Sequence, residues 1–294
     1  DRKAAEWVLR VGGTVRIFAD GVQSEYPKDG KLPEGPFQVT YVNIFEPGKQ
    51  NKLTNEGVKH LEGLSQLKEL HTTPLGVDDY SFLKSLKSLE TFGLNWEHAT
   101  FRDADLVHLK DLPRLKQLGL GAYWGNEKMT DAGLATIKEM RNLELLNLTG
   151  WKITNDGLKH LQNLKQLRHL TLGKTPISDD GLQYVSQFPE LRELVLELTP
   201  IRGPGLTRLA QLPKLVSLNL IGAQLTDAEV RGLKNLKNLE VLNLSHNKEI
   251  TDASLVDLKE LANLRYLEVA HTKVTEAGAQ NLKKSLPNCQ IVTK

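Results

Sequence analysis

The residues of this chain with the chemical capacity to do more than pack are eight histidines, one cysteine, a recurring series of aspartates and four tryptophans. Histidine and carboxylate together make metal sites or acid–base pairs. His60, His108 and His160 recur at matching positions, but the same slot elsewhere holds Phe82, Thr136, Tyr184, Arg208, Gly232, Asp257 and Asn281. A slot so variable reads as surface. His246 and His271 share a column with Glu268 nearby, a weak metal constellation with two ligands and nothing to orient them. Asp156, Asp179, Asp180 and Asp227 fall at repeated helix starts, too far apart for paired acid–base work. Neither a G-x-S-x-G elbow, a Walker loop, an H-E-x-x-H nor a C-x-x-C occurs. No catalytic residue, resident metal or cofactor is implied, and the chain does not read as an enzyme.

Binding chemistry is better represented. Trp96, Tyr123, Trp124 and Trp151 follow closely on predicted strands, beside insertions at 96–102 and 123–128. Large aromatics anchor interfaces because they bury much area while few rotamers are lost. Around them Gly93, Gly119, Gly121, Ala122, Thr149, Gly150 and Gly173 predict a hollow floor. Trp96, Tyr123, Trp124 and Trp151, with Asn95, Gly121, Asn147 and Thr149, are therefore the expected partner-binding residues. The alternative class is a glycan- or peptidoglycan-binding module, with Trp96, Trp124 and Trp151 stacking on sugar rings and Asn95, Asn126 and Glu127 as polar flanks. Trp7, in a predicted helix, reads as core.

These side chains are positioned by a repeat. From Val39 onward the pattern L-x-x-L-x-L recurs, with units beginning at Leu67, Leu89, Leu115, Leu143, Leu167, Leu191, Leu215, Leu239 and Leu264, ten in all. The opening half alternates apolar and variable residues, the signature of a short strand. In the second half apolar residues stand three apart, as in Leu134, Ile137 and Met140, which suits one helix face. Thr54, Thr130, Thr154, Ser178, Thr226, Thr251 and Thr275 are placed as helix N-caps, and Thr226 with Glu229 has capping-box spacing. One unit cannot bury both of its apolar faces, so units must stack, with parallel strands on a concave side and the wider helices on a convex side. The expected fold is an α/β horseshoe solenoid.

The units resemble those of bacterial leucine-rich-repeat proteins with a T-D-x-G-L helix start, close in repeat style to ribonuclease-inhibitor-like and F-box-associated arrays. The resemblance spans Val39 to Ile291, including a closing L-P-x-C-x-I at Leu286 to Ile291. It implies a protein-interaction scaffold, a signalling or adaptor part that binds another protein or peptide on its concave face and ascending loops. Members are often joined to signal peptides or to kinases.

The expected organisation is an amino-terminal cap at 1–38, the repeat array at 39–288 and a carboxy-terminal cap strand at 289–294. Within the first cap, residues 4–11 predict a helix, 14–18 a strand, Asp20-Gly21 a turn, and 27–36 a loop. Cys289 has no partner cysteine and reads as a small buried hydrophobe. A net charge of +2 lacks the concentrated basic field that nucleic acid requires. No stretch approaches the roughly 18 apolar residues of a membrane span, so membrane insertion is not expected. The chain opens at Asp1 without a methionine and shows no signal peptide. It is expected to be soluble, either cytoplasmic or exported with a leader removed.

Overall fold

The computed structural model describes residues 1–44, 53–73, 76–94 and 101–294. Helix α1 (Arg2–Arg10) leads into β1 (Thr14–Ala19), β2 (Val22–Tyr26) and β3 (Gln38–Ile44). The repeats contribute β4 (Glu69–Thr72), β5 (Thr91–Leu94), β6 (Gln117–Gly119), β7 (Asn126–Thr130), β8 (Leu145–Asn147), β9 (Trp151–Lys152), β10 (His169–Thr171), β11 (Glu193–Val195), β12 (Ser217–Asn219), β13 (Val241–Asn243), β14 (Tyr266–Glu268) and β15 (Gln290–Val292). Among the described residues, all but β7 and β9 form one 13-stranded sheet. It is parallel from β3 to β15 and antiparallel where β1 meets β2 and β3.

The parallel register stacks identical columns. Leu146, Leu170, Leu194, Leu218, Leu242 and Leu267 pair in succession and are all buried. Their neighbours Asn147, Thr171, Val195, Asn219, Asn243 and Glu268 form the next column on the opposite face. The core is a single leucine-rich cluster running the length of the array, continuous with Ala5, Trp7 and Val8 of α1 and ending on the fully buried Cys289. Burial pushes the Cys289 thiol pKa up, against the pull of Lys283 and Arg265.

The helical halves are tighter than simple α-helices. Asp156–Asn163 and Pro204–Gln211 are 3-10 helices, and others, such as Asp227–Val230 with Arg231–Asn235, mix the two forms. The sequence carries the reason. A 3-10 helix eclipses side chains three apart, so Leu158, Leu161 and Leu164 all fall on its buried stripe. Full α-helix appears at Asp131–Ile137, Asp252–Leu258 and Glu276–Ser285.

Thr54, Thr130, Thr154, Thr226, Thr251 and Thr275 cap their helices as expected, each hydroxyl accepting a backbone N–H. Ser178 does not, because its Oγ accepts instead from Asn155 Nδ2 at 2.8 Å. The residue after the cap reaches forward into the next unit. Asp131 accepts from Thr154 N at 2.8 Å and Thr154 Oγ1 at 2.6 Å. Asp103 holds Thr130, Asp227 holds Thr251 and Asp252 holds Thr275 in the same two-pronged way. This clamp accounts for the glycine of the T-D-x-G motif. A Cβ on Gly157 would lie 2.0 Å from Asp131 Oδ1, and one on Gly278 2.1 Å from Asp252 Oδ1.

At Asn155 an amide does the same work, accepting from Ser178 N at 3.0 Å, Asp179 reaches only Arg202 N, at 3.2 Å, and two positions carry neither acid nor amide. Val77 and Gly203 stand where the clamping acid belongs. In each following unit an acid occupies the glycine position and caps its own helix: Asp105 Oδ2 accepts from Arg102 N at 2.8 Å, and Glu229 Oε2 from Thr226 N at 2.7 Å.

Candidate partner-binding rim

Strands β8 and β10 to β14 leave the sheet through a turn whose geometry repeats. One residue of the turn is left-handed: Gly150, Lys174, Leu198, Gly222, His246 and His271 have φ of 76, 55, 52, 61, 61 and 56°. The next residue points inward and ties the turn to the ladder. Asn247 Nδ2 donates to Leu220 O at 2.9 Å and Leu244 O at 2.8 Å, while Thr175, Thr199 and Thr272 bond the carbonyl three residues back. Left-handed backbone favours glycine and costs other residues about 1 kcal/mol or more. Lys174, Leu198, His246 and His271 occupy it nonetheless, with side chains projecting at the rim.

Trp151 occupies the inward position of its unit, and this corrects the expectation that it lines the binding rim. Its ring is 0% exposed. Its Nε1 donates to Leu120 O at 3.0 Å, the role Asn247 plays toward Leu220 O. Asn126 is likewise interior: after the insertion at 123–125 its Nδ2 donates to Phe101 O at 3.0 Å. It is therefore not a flank for a bound sugar. Glu127 is exposed and paired with Lys152 at 3.1 Å. Asn95 and Trp96 lie outside the described residues.

Tyr123 and Trp124 are on the surface, where the insertion lifts them clear of the sheet. Trp124 is 79% exposed. The two rings meet edge to face, centroids 5.3 Å apart at 90°. Lys174, from two units further along, lays its ammonium 2.8 Å from the Tyr123 ring centroid and 6.0 Å from that of Trp124. Its Nζ also donates to Tyr123 O at 3.5 Å. The next residue in the Lys174 column is Leu198, 49% exposed, whose Cδ2 would lie 2.6 Å from a Cβ on Gly222. An aromatic pair, a cation and an aliphatic side chain thus stand along one edge.

The glycine floor is mostly filled by neighbours. His71 Nδ1 would lie 2.8 Å from a Cβ on Gly93, Asn147 Oδ1 2.5 Å from one on Gly121, and Glu197 Cγ 2.7 Å from one on Gly173. Only around Gly119, among these four, is a Cβ free of close contact, with its nearest neighbour 3.7 Å away. Asn147 is also committed within its own turn, its Oδ1 accepting from Thr149 N at 3.0 Å and from Thr149 Oγ1 at 2.8 Å. Thr149 is buried. Gly121, Asn147 and Thr149 thus support the floor by contacting one another.

Near the cap, Arg16 lies 4.0 Å over the Tyr41 ring and pairs with Glu25 at 2.7 Å. Burial pushes the Tyr41 hydroxyl pKa up, partly opposed by Arg16. Burial likewise holds the His71 imidazole below its ordinary range, with Glu69 opposing and Arg16 reinforcing. At the far end the His246 and His271 rings stack 4.3 Å apart at 25°. Glu268 is turned away from them to Asn243 Nδ2 at 2.7 Å and Tyr266 Oη at 3.2 Å. Among the described residues, no group of three or more His, Cys, Asp or Glu is placed to hold a metal. The histidine slot of the helices is not uniformly surface either, since Phe82 is buried and His60 packs 5.7 Å from Trp7.

Residues 204–274 match the leucine rich repeat family. An internalin (inlF) of Listeria monocytogenes aligns with 82% of this chain and 77% of its own at TM-score 0.51 and 19% identity. The fold is a leucine-rich-repeat solenoid. Internalin C2 of the same organism is 27% identical over 65% of this chain and 73% of its own, at TM-score 0.49. A leucine-rich-repeat protein of Leptospira interrogans covers 82% of this chain and 69% of its own at 20% identity and TM-score 0.41. Among curated proteins none matches. No helix among the described residues of this leucine-rich-repeat chain is long and apolar enough to cross a membrane.

Proposed function

We propose that this leucine-rich-repeat chain is a protein-interaction scaffold that grips a protein or peptide partner along the rim formed by Tyr123, Trp124, Lys174 and Leu198, with the adjoining concave face as the floor. The observation that carries the reading is the 79% exposure of Trp124. Covering that indole removes on the order of 150 Å² of largely apolar surface from water, worth roughly 4 kcal/mol at most. Left-handed Leu198 and Lys174 support it, because Gly150 and Gly222 show that the turn forms without a side chain there. The general scaffold role agrees with the internalin-like fold. A glycan platform draws less support, since Trp151 and Asn126 lie inside the core.

Affinity capture with the parent chain and with Trp124→Ala, followed by calorimetry on the recovered partner, tests this. The expected result is unchanged thermal stability and affinity at least about 30-fold weaker, the size of an interface hot spot. Equal affinity for the two forms refutes the rim as the binding site.

A further inference from the structure

The amino-terminal hairpin leaves β2 as the outermost strand of the sheet. Its turn, Asp20-Gly21, has φ of 51 and 79°, the two-residue connection of a type I′ hairpin. In such a hairpin the pair flanking the turn, Ala19 and Val22, exchanges both main-chain hydrogen bonds, and exchange then alternates along the ladder. Val22, Ser24 and Tyr26 therefore bond to β1, whereas the N–H and C=O groups of Gln23 and Glu25 point outward.

Edges of this kind are normally blunted by lysine, proline or bulges on the outer strand. β2 has no lysine and no proline. Glu25 is its one charged residue and is held by Arg16 at 2.7 Å. Val22 is 61% exposed, and Phe18 on the adjacent strand is 44% exposed.

We propose that this edge pairs antiparallel with the same edge of a second copy, about a two-fold axis at Ser24. In that register Gln23 faces Glu25 of the second copy and Val22 faces Tyr26. The outward groups of Gln23 and Glu25 then exchange about four main-chain hydrogen bonds across the axis. A two-residue shift toward Glu25 would set two carboxylates opposite each other, which is unfavourable. The strand sequence is thus complementary to itself in the register that uses its free backbone groups. The two sheets become continuous, with the concave faces carried outward from the axis.

Light scattering and sedimentation of the 294-residue chain from about 5 to 500 µM test the proposal. The expected mass rises from 32.9 kDa toward twice that value. Ser24→Lys and Ser24→Glu each place like charges opposite one another at the axis and should each remain monomeric, with circular dichroism unchanged. An equimolar mixture of the two should restore the dimer. A wild-type mass constant at the monomer value, a Ser24→Lys form that dimerises like wild type, or a mixture that stays monomeric overturns the proposal.

Discussion

Gly157→Ala sets helix propensity against the clamp between units. In an exposed helical segment, replacing glycine by alanine is normally favourable by about 0.5–1 kcal/mol. Here the new Cβ would meet Asp131 Oδ1 at 2.0 Å, Cγ at 2.4 Å and Oδ2 at 3.1 Å, so the carboxylate must move. Moving it breaks the bonds to Thr154 N and Oγ1. Hydrogen bonds to a charged group at a half-exposed site are worth roughly 1–1.5 kcal/mol each. The net expectation is a loss of about 1–2 kcal/mol, read from urea unfolding followed by far-ultraviolet dichroism. All three crowding atoms belong to Asp131, so in an Asp131→Ala background the same change should turn stabilising, by up to about 1 kcal/mol. Gly157→Ser should be milder than Gly157→Ala, because Ser254 already stands at the equivalent position, its Oγ donating to Thr251 O at 2.8 Å while Asp227 still holds Thr251. If Gly157→Ala stabilises the parent chain, or if its sign is the same in both backgrounds, the clamp does not explain the glycine.

Trp151→Ala should cost about 3–5 kcal/mol from the cavity alone. Trp151→Phe keeps most of the packing but strands Leu120 O, so a loss of about 1–3 kcal/mol is expected in the same unfolding assay. His71 has a folded pKa below its ordinary value of 6.5, so the unfolded chain takes up the proton first. Its contribution is complete above about pH 6.5 and is lost as pH falls toward and through the folded value. His71→Gln should remove that part of the slope, measured as unfolding free energy between pH 7.5 and 5. Asp227 behaves in the same direction at more acidic pH: burial raises its pKa, but the bonds from Thr251 and Ser254 outweigh this and hold it below 3.8. Asp227→Asn should flatten the acid limb of stability beneath that value.

The leucine columns and the threonine caps are legible because each is a local rule repeated many times. Strand register follows directly: once Leu146 and Leu170 are recognised as equivalent, their pairing in the sheet is settled. The 3-10 character of the helical halves is not legible, because the three-residue spacing of Leu158, Leu161 and Leu164 is shared by Leu134, Ile137 and Met140, whose helix is α. What a single unit cannot show is any contact between units. Asp131 explains Gly157 only when two successive units are superimposed. Trp151 resembles a surface aromatic until its position is matched with Asn247, whose inward hydrogen bond it replaces. The insertion before Asn126 hides the same correspondence. Glycines misled for a related reason: a missing side chain opens space only if the neighbour does not lean into it, and Asn147 and Glu197 do.

The two interrupted clamps change what holds neighbouring units together. Val77 and Gly203 remove the forward carboxylate link, and one junction before Gly203 the clamp is halved: Asp179 Oδ2 accepts from Arg202 N at 3.2 Å, while Oδ1, with no hydroxyl on Arg202 to meet it, is buried without a hydrogen bond. At both places the strands remain paired, and arginines take over the link between units: Arg102 Nη2 donates to Asp78 O at 3.4 Å, and Arg202 donates to Gln224 Oε1. Stability in a stacked array depends on the junctions between neighbours, and these two junctions are held by different chemistry from the carboxylate clamps elsewhere in the array. The exposed indole of Trp124 lies between these two junctions, within the stretch where Asp103 and Asp131 clamp successive units.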